Sequence, residues 1–131
     1  MIITTIIFIA ILLVLVLVHE WGHFYAARKV GVKVHEFGFG FPPRLWGFKK
    51  GGTLFSVNLL PLGGFVKLKG EQGEDKGDPD SFASQSAGRR AVILVAGVLM
   101  NVILTWVLLT IGFSAGIPTV VDDANRSQAS N

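Results

Sequence analysis

The chain alternates between apolar and polar blocks. Ile2 to Val18 carries no charge at all. As a helix this run is about 26 Å long, at about 1.5 Å per residue. Helical character is expected to continue to about Val30, where Gly31 stops it. From Val32 to about Lys69 apolar residues alternate with polar ones and glycines, a pattern of strands. Thr53 to Leu60 predicts a strand, Pro61-Leu62-Gly63-Gly64 a turn, and Phe65 to Lys69 a returning strand. Val34 to Phe39 is a weaker strand ahead of Pro42-Pro43. Glu71 to Ser86 holds Gly73, Gly77, Pro79 and five carboxylates, and predicts a flexible loop. Ala91 to Phe113 is a second, longer apolar run, broken only by Asn101, Thr105 and Thr110. Both runs reach membrane-spanning length, the first together with its helical continuation.

A signal peptide is the competing reading of the first run. It fits poorly, because no Lys or Arg precedes the run and no small-residue cleavage site follows it. The segment between the runs contains Phe37, Phe39, Phe41, Trp46, Phe48 and Phe55. Such a segment is either a small hairpin with an aromatic core or one dipping into the membrane interface, where aromatics and Lys side chains are favoured. Non-helical backbone at membrane depth requires cover by protein or a wet cavity. The expected architecture is therefore membrane α-helical, with two transmembrane helices linked by a cytoplasmic-side, membrane-associated β-hairpin or sheet. The expected segments are 1–30, 31–70, 71–90, 91–113 and 114–131.

Composition agrees. Half of the 131 residues are hydrophobic and mean hydropathy is +0.54, too apolar for an ordinary soluble domain. There is no Cys, which excludes disulfides and thiolate ligands. The net charge of +3 is small, and its basic residues lie in a loop among glycines and aromatics, so no nucleic-acid partner is expected. Eleven Lys and Arg lie from Arg28 to Arg90, and the twelfth is Arg126. The positive-inside tendency then puts the middle loop in the cytoplasm and both termini outside.

The chemistry concentrates in His19-Glu20-Trp21-Gly22-His23, directly behind the first apolar run. On a helix, His19, His23 and Glu20 fall at roughly 0°, 40° and 100°. Two imidazoles at i and i+4 can hold one Zn²⁺, and the Glu can take a proton from a water activated there. A bare HExxH in a soluble helix is more often a solvated helix end. At the end of a membrane-type helix these groups are costly without a task, which favours the metal reading. The carboxylates of the 71–86 loop fit no EF-hand spacing and are read as solvated.

With these features in view, the chain resembles the site-2 protease family of intramembrane zinc metalloproteases, in the bacterial branch that cleaves anti-sigma factors. The resemblance rests on HEWGH, Gly38-Phe39-Gly40, Leu60-Pro61-Leu62-Gly63-Gly64-Phe65-Val66-Lys67, Gly88-Arg89-Arg90-Ala91 and Ala96-Gly97-Val98-Leu99-Met100-Asn101. The family typically has Gly-Pro where this chain has Gly97-Val98. The resemblance implies His19 and His23 as Zn²⁺ ligands, Glu20 as general base, and a β-region that guides an extended transmembrane protein substrate past Gly63, Gly64 and Phe65 by strand addition. It implies Asn101 as the family's second-helix Asn near the active site, beside the plainer reading of a helix–helix hydrogen bond. Its third ligand is an Asp of a Leu-Asp-Gly motif on a later helix, and no such motif occurs here. Asp122 and Asp123 are poor substitutes, on the wrong side of the second span. The expectation is an N-terminal part of a longer protease, ending where a periplasmic PDZ domain begins, embedded in lipid and inactive alone. The rivals are a non-catalytic membrane adaptor that holds partner helices through the β-loop and a different membrane metallohydrolase.

Overall fold

The computed structural model describes residues 1–116. Helix α1 spans Ile2–Val30 and ends where expected. Gly31 takes φ 94°, and its N–H bonds back to the carbonyls of Ala27 and Arg28, while the Val32 N–H reaches Ala27. Only glycine adopts that left-handed conformation at little cost, and Arg28 and Lys29 place positive charge at the helix's negative end. Helix α2 spans Ala87–Ala115, longer than the apolar run alone, because the Ser86 hydroxyl caps it by accepting from Arg89 N–H. Its mid-helix hydroxyls are satisfied internally. Thr105, Thr110 and Ser114 each donate to the carbonyl four residues back, at 2.8 Å.

The two helices are equally long, 29 residues each. That length corresponds to about 43 Å, enough to cross a bilayer. Both are also apolar enough to do so. Their outer faces are bare: Phe8, Trp106 and Phe113 are 65%, 69% and 72% exposed. Apolar surface of this extent, uncovered by protein, suits hydrocarbon rather than water.

Between the helices lie β1 (Val34–Lys50) and β2 (Thr53–Leu68), paired antiparallel as one two-stranded sheet. The hairpin turn is at Gly51-Gly52, both at positive φ, and not at Pro61-Leu62-Gly63-Gly64, which lies inside β2. The expected hairpin between residues 53–60 and 65–69 is thus corrected. The register explains why. Phe65, Val66 and Lys67 pair with Gly38, Phe37 and Glu36, while Leu54 to Val57 line the other side of Glu36 to Phe39. Along that second side both residue numbers rise together, so this contact runs parallel although the strands pair antiparallel overall. Each long strand is therefore bent, and the segments lie in the order 64–68, 34–39, 53–58, 44–50. Residues 58–64 carry the chain from one side of segment 34–39 to the other. The weak strand at Val34 is the centre of this arrangement.

Buried polar side chains fix the bends. Thr53 donates to the Val34 carbonyl at 2.9 Å, Ser56 to Glu36 Oε1 at 2.6 Å, and Asn58 Nδ2 to the carbonyls of Phe39 and Gly40 at 3.2 and 3.1 Å. Gly40 has a φ of 76°. A Cβ there would lie 2.7 Å from the Leu60 carbonyl oxygen. Only glycine tolerates both conditions, so the bend admits no other residue.

The core gathers where the sheet meets the helices: Phe24, Ala26, Ala27, Val32, Val34, Leu68 and Ile93, with Phe37, Phe55 and Val66 against them. Phe24, Phe37 and Phe55 contact one another edge-on or tilted, at centroid distances of 5.6, 5.7 and 6.0 Å. These are favoured geometries for aromatic pairs. The distal part of the sheet is different. Phe41, Leu45, Trp46, Phe48, Leu60 and Leu62 are exposed. The aromatic core therefore belongs to the near half of the segment, and the far half carries its aromatics outside.

The acidic stretch is more organised than its composition predicts. Lys69 Nζ bridges Asp78 and Asp80 at 2.8 and 2.7 Å. These bonds hold the Lys69 ammonium above its ordinary pKa and the Asp80 carboxyl below its own. Lys33 N–H donates to the Asp80 carbonyl and Phe82 N–H to the Lys69 carbonyl. The short 3₁₀ turn Phe82–Ser84 then leads into α2.

Candidate active site

His19, Glu20 and His23 lie towards the C-terminal end of α1, and the second helix closes over them. His23 Nδ1 is 2.8 Å from the Ile93 carbonyl oxygen. A carbonyl can only accept, so Nδ1 carries the proton and Nε2 presents a lone pair. His23 Nε2 and His19 Nε2 are 3.0 Å apart, with the rings edge to face. Two imidazole nitrogens at about 2.0–2.1 Å from one tetrahedral Zn²⁺ stand roughly 3.3 Å apart, so this pair fits a shared ion with little movement.

Glycine makes the approach possible. A Cβ on Gly97 would fall 2.5 Å from His23 Nε2 and 2.9 Å from His19 Cε1. A Cβ on Gly22 would collide with the Ala96 carbonyl and lie 2.8 Å from Met100 Cγ. The helices therefore touch backbone to backbone beside the imidazoles. Towards their far ends they part around an apolar gap of about 350 Å³ lined by Ile7, Ile11, Val14, Leu104 and Leu108.

Glu20 faces elsewhere. It lines a cavity of about 280 Å³ with His23, Phe65, Val66, Glu71 and Ile93, a mixed polar and apolar space between α1, α2 and the sheet edge. A Cβ on Gly64 would lie 3.5 Å from Glu20 Cγ and 3.1 Å from the Gly38 carbonyl oxygen, so the edge segment passes directly against the carboxylate. Of the three loop residues singled out from sequence, Gly64 and Phe65 reach this region. Gly63 instead packs against the Phe41 ring. Asn101 is not in the cavity lining. Its Nδ2 lies 3.5 Å from His19 Nδ1. Sequence reasoning missed Glu71, which composition assigns to a solvated loop, and the Ile93 carbonyl, which no side-chain pattern reveals. Among the described residues no group of three His, Cys, Asp or Glu could hold a metal, so His35, exposed on β1, does not complete the pair. Asp122 and Asp123 lie outside the described residues.

An HExxH helix of membrane-spanning length, with its two imidazoles converging beneath a second such helix, defines a class, the membrane zinc metallopeptidases. The model of Peptidase family M50 matches residues 7–129, and the chain belongs to that family. A relative from Clostridium acetobutylicum is 47% identical over 110 residues, covering 82% of this chain and 32% of the relative. The Regulator of sigma E protease of Haemophilus influenzae is 41% identical over 117 residues, covering 86% of this chain and 26% of that protein. The Zinc metalloprotease RasP of Shouchella clausii is 48% identical over 71 residues, covering 54% and 17%. The chain thus spans about a third or less of the length of these relatives.

Proposed function

We propose that this chain is the N-terminal portion of an intramembrane endopeptidase that cleaves membrane-spanning protein substrates, anti-sigma factors among them. The reading is carried by one observation: the Nε2 atoms of His19 and His23 converge to 3.0 Å while Glu20, on the same helix, opens onto a cavity bounded by a strand edge. His19 and His23 would hold Zn²⁺ through Nε2, with a third ligand from outside the described residues. Zn²⁺ held there would supply Lewis-acid polarisation of the scissile carbonyl and of the attacking water. Glu20 takes that water's proton and returns it to the leaving amine. Among the described residues, 64–68 pair with 34–39 on one side only, leaving the other edge for a substrate strand. Gly64 sets that strand against Glu20. A helical substrate has its carbonyls already bonded and must unwind before it can pair.

Metal content tests the reading. In the intact protease, His19→Ala and His23→Ala should each remove stoichiometric zinc and proteolysis together. Full zinc retention in both variants overturns it. The 131-residue chain alone, with two ligands, should lose its zinc to a mild chelator and cleave no peptide. Retained stoichiometric zinc in that chain would reveal a third ligand within it.

The orientation proposed is a cytoplasmic middle segment with both termini outside, resting on the Lys and Arg placed from Arg28 to Arg90. Reporter fusions at Gly73 and at Asn131 should report opposite compartments. A cytoplasmic signal from the Asn131 fusion contradicts it.

A further inference from the structure

Asn101 poses a hydrogen-bonding problem that the metal reading resolves. Its Oδ1 is buried and has no partner among the described residues, while its Nδ2 is 3.5 Å from His19 Nδ1. A buried, unpaired carbonyl oxygen between two apolar helices is costly. Across the site, His23 is held with its proton on Nδ1 by the Ile93 carbonyl, so its Nε2 has only a lone pair. Facing it at 3.0 Å, His19 Nε2 carries the proton when no cation lies between them. His19 Nδ1 is then a bare acceptor, which suits Asn101 Nδ2. For both Nε2 atoms to ligate one cation, the His19 proton must sit on Nδ1 instead. Nδ1–H then needs an acceptor, and the unpartnered Oδ1 of Asn101 is a half-turn of the amide away.

Resting on the zinc reading above, we propose that Asn101 is the positioning residue of His19: its amide turns over as the metal enters, Oδ1 accepts His19 Nδ1–H, and Nε2 is fixed as a ligand. An amide serves both states because it has a donor face and an acceptor face. A carboxylate serves only the loaded state, and an alkyl group serves neither. Thr105 donates to the Asn101 backbone carbonyl, so that bond leaves the side-chain amide free to turn.

The experiment uses the intact protease in detergent, with ¹⁵N-labelled histidine, zinc-free and zinc-loaded, as wild type, Asn101→Asp and Asn101→Leu. Chelator competition should show a zinc affinity about 10- to 100-fold weaker in Asn101→Leu, the usual loss when a ligand's orienting partner is removed. Asn101→Asp should hold zinc at least as tightly as wild type. The imidazole ¹⁵N shifts should place the His19 proton on Nε2 in the zinc-free wild type. They should place it on Nδ1 in zinc-free Asn101→Asp and in every zinc-loaded form that keeps an acceptor. A structural role alone moves neither tautomer nor rescue by Asp. Asn101→Ala substitutes if Leu prevents folding, with the same expected loss. Wild-type affinity in Asn101→Leu, or equal damage from Asp and Leu, overturns the Asn101 proposal while His19-dependent zinc leaves the metal reading standing. Zinc that survives His19→Ala overturns both.

Discussion

Glu20→Gln is expected to abolish proteolysis in the intact protease while zinc stays bound. The substitution keeps size and one acceptor oxygen but replaces the basic carboxylate that accepts the water's proton with a neutral amide. General acid–base catalysis contributes about 10²–10⁴-fold, so the rate should fall by roughly 10³-fold or more, about 4 kcal/mol of transition-state stabilisation. Metal should remain because the two imidazoles meet each other at 3.0 Å through Nε2, whereas Glu20 lines the cavity beside Phe65 and Glu71. Metal analysis and single-turnover cleavage of the same preparation read the two effects separately. Parallel loss of zinc and activity would make Glu20 a ligand or a structural group and remove it from the proton-transfer role.

The second large effect falls on a residue with no chemistry of its own. Gly97→Ala should displace the imidazoles and cut zinc affinity by about tenfold or more, with an overpacking cost of about 1–3 kcal/mol. The added methyl would occupy space 2.5 Å from His23 Nε2 and 2.7 Å from His23 Cε1, with His19 close behind. The imidazole of His23 cannot retreat without breaking its bond to the Ile93 carbonyl. Gly88→Ala is the internal control. It lies on the same helix, and a Cβ added there would meet nothing within 4 Å among the described residues. There alanine's better helix propensity should stabilise by up to about 1 kcal/mol. Zinc affinity and thermal unfolding of both variants check the contrast. Equal outcomes at positions 88 and 97 would mean that helix approach at Gly97 does not shape the site.

Sequence alone determined the parts of this protein that follow from local chemistry. The uncharged run from Ile2 specifies a helix because an apolar segment must satisfy its backbone groups internally, and Gly31 ends it because only glycine readily turns left-handed there. HEWGH puts two imidazoles on one face through the helical repeat, which needs no tertiary contact. The tertiary structure alone decided what lies against what. Gly51-Gly52 and Pro61-Leu62-Gly63-Gly64 are both turn-like in composition, and local propensity does not choose between them. The choice falls to the central segment at Val34, which must be flanked on both sides, and to Thr53, Ser56 and Asn58, which bond to that strand from one of them. The acidic loop reads as disordered because its charges look unpaired in sequence, yet Lys69 lies nine and eleven residues from the carboxylates it bridges. The pairing of His23 with Ile93 and of His19 with Asn101 spans 70 and 82 residues. Such contacts are set by how two apolar helices meet, and a backbone carbonyl that fixes a histidine's tautomer leaves no trace in the identity of its residue.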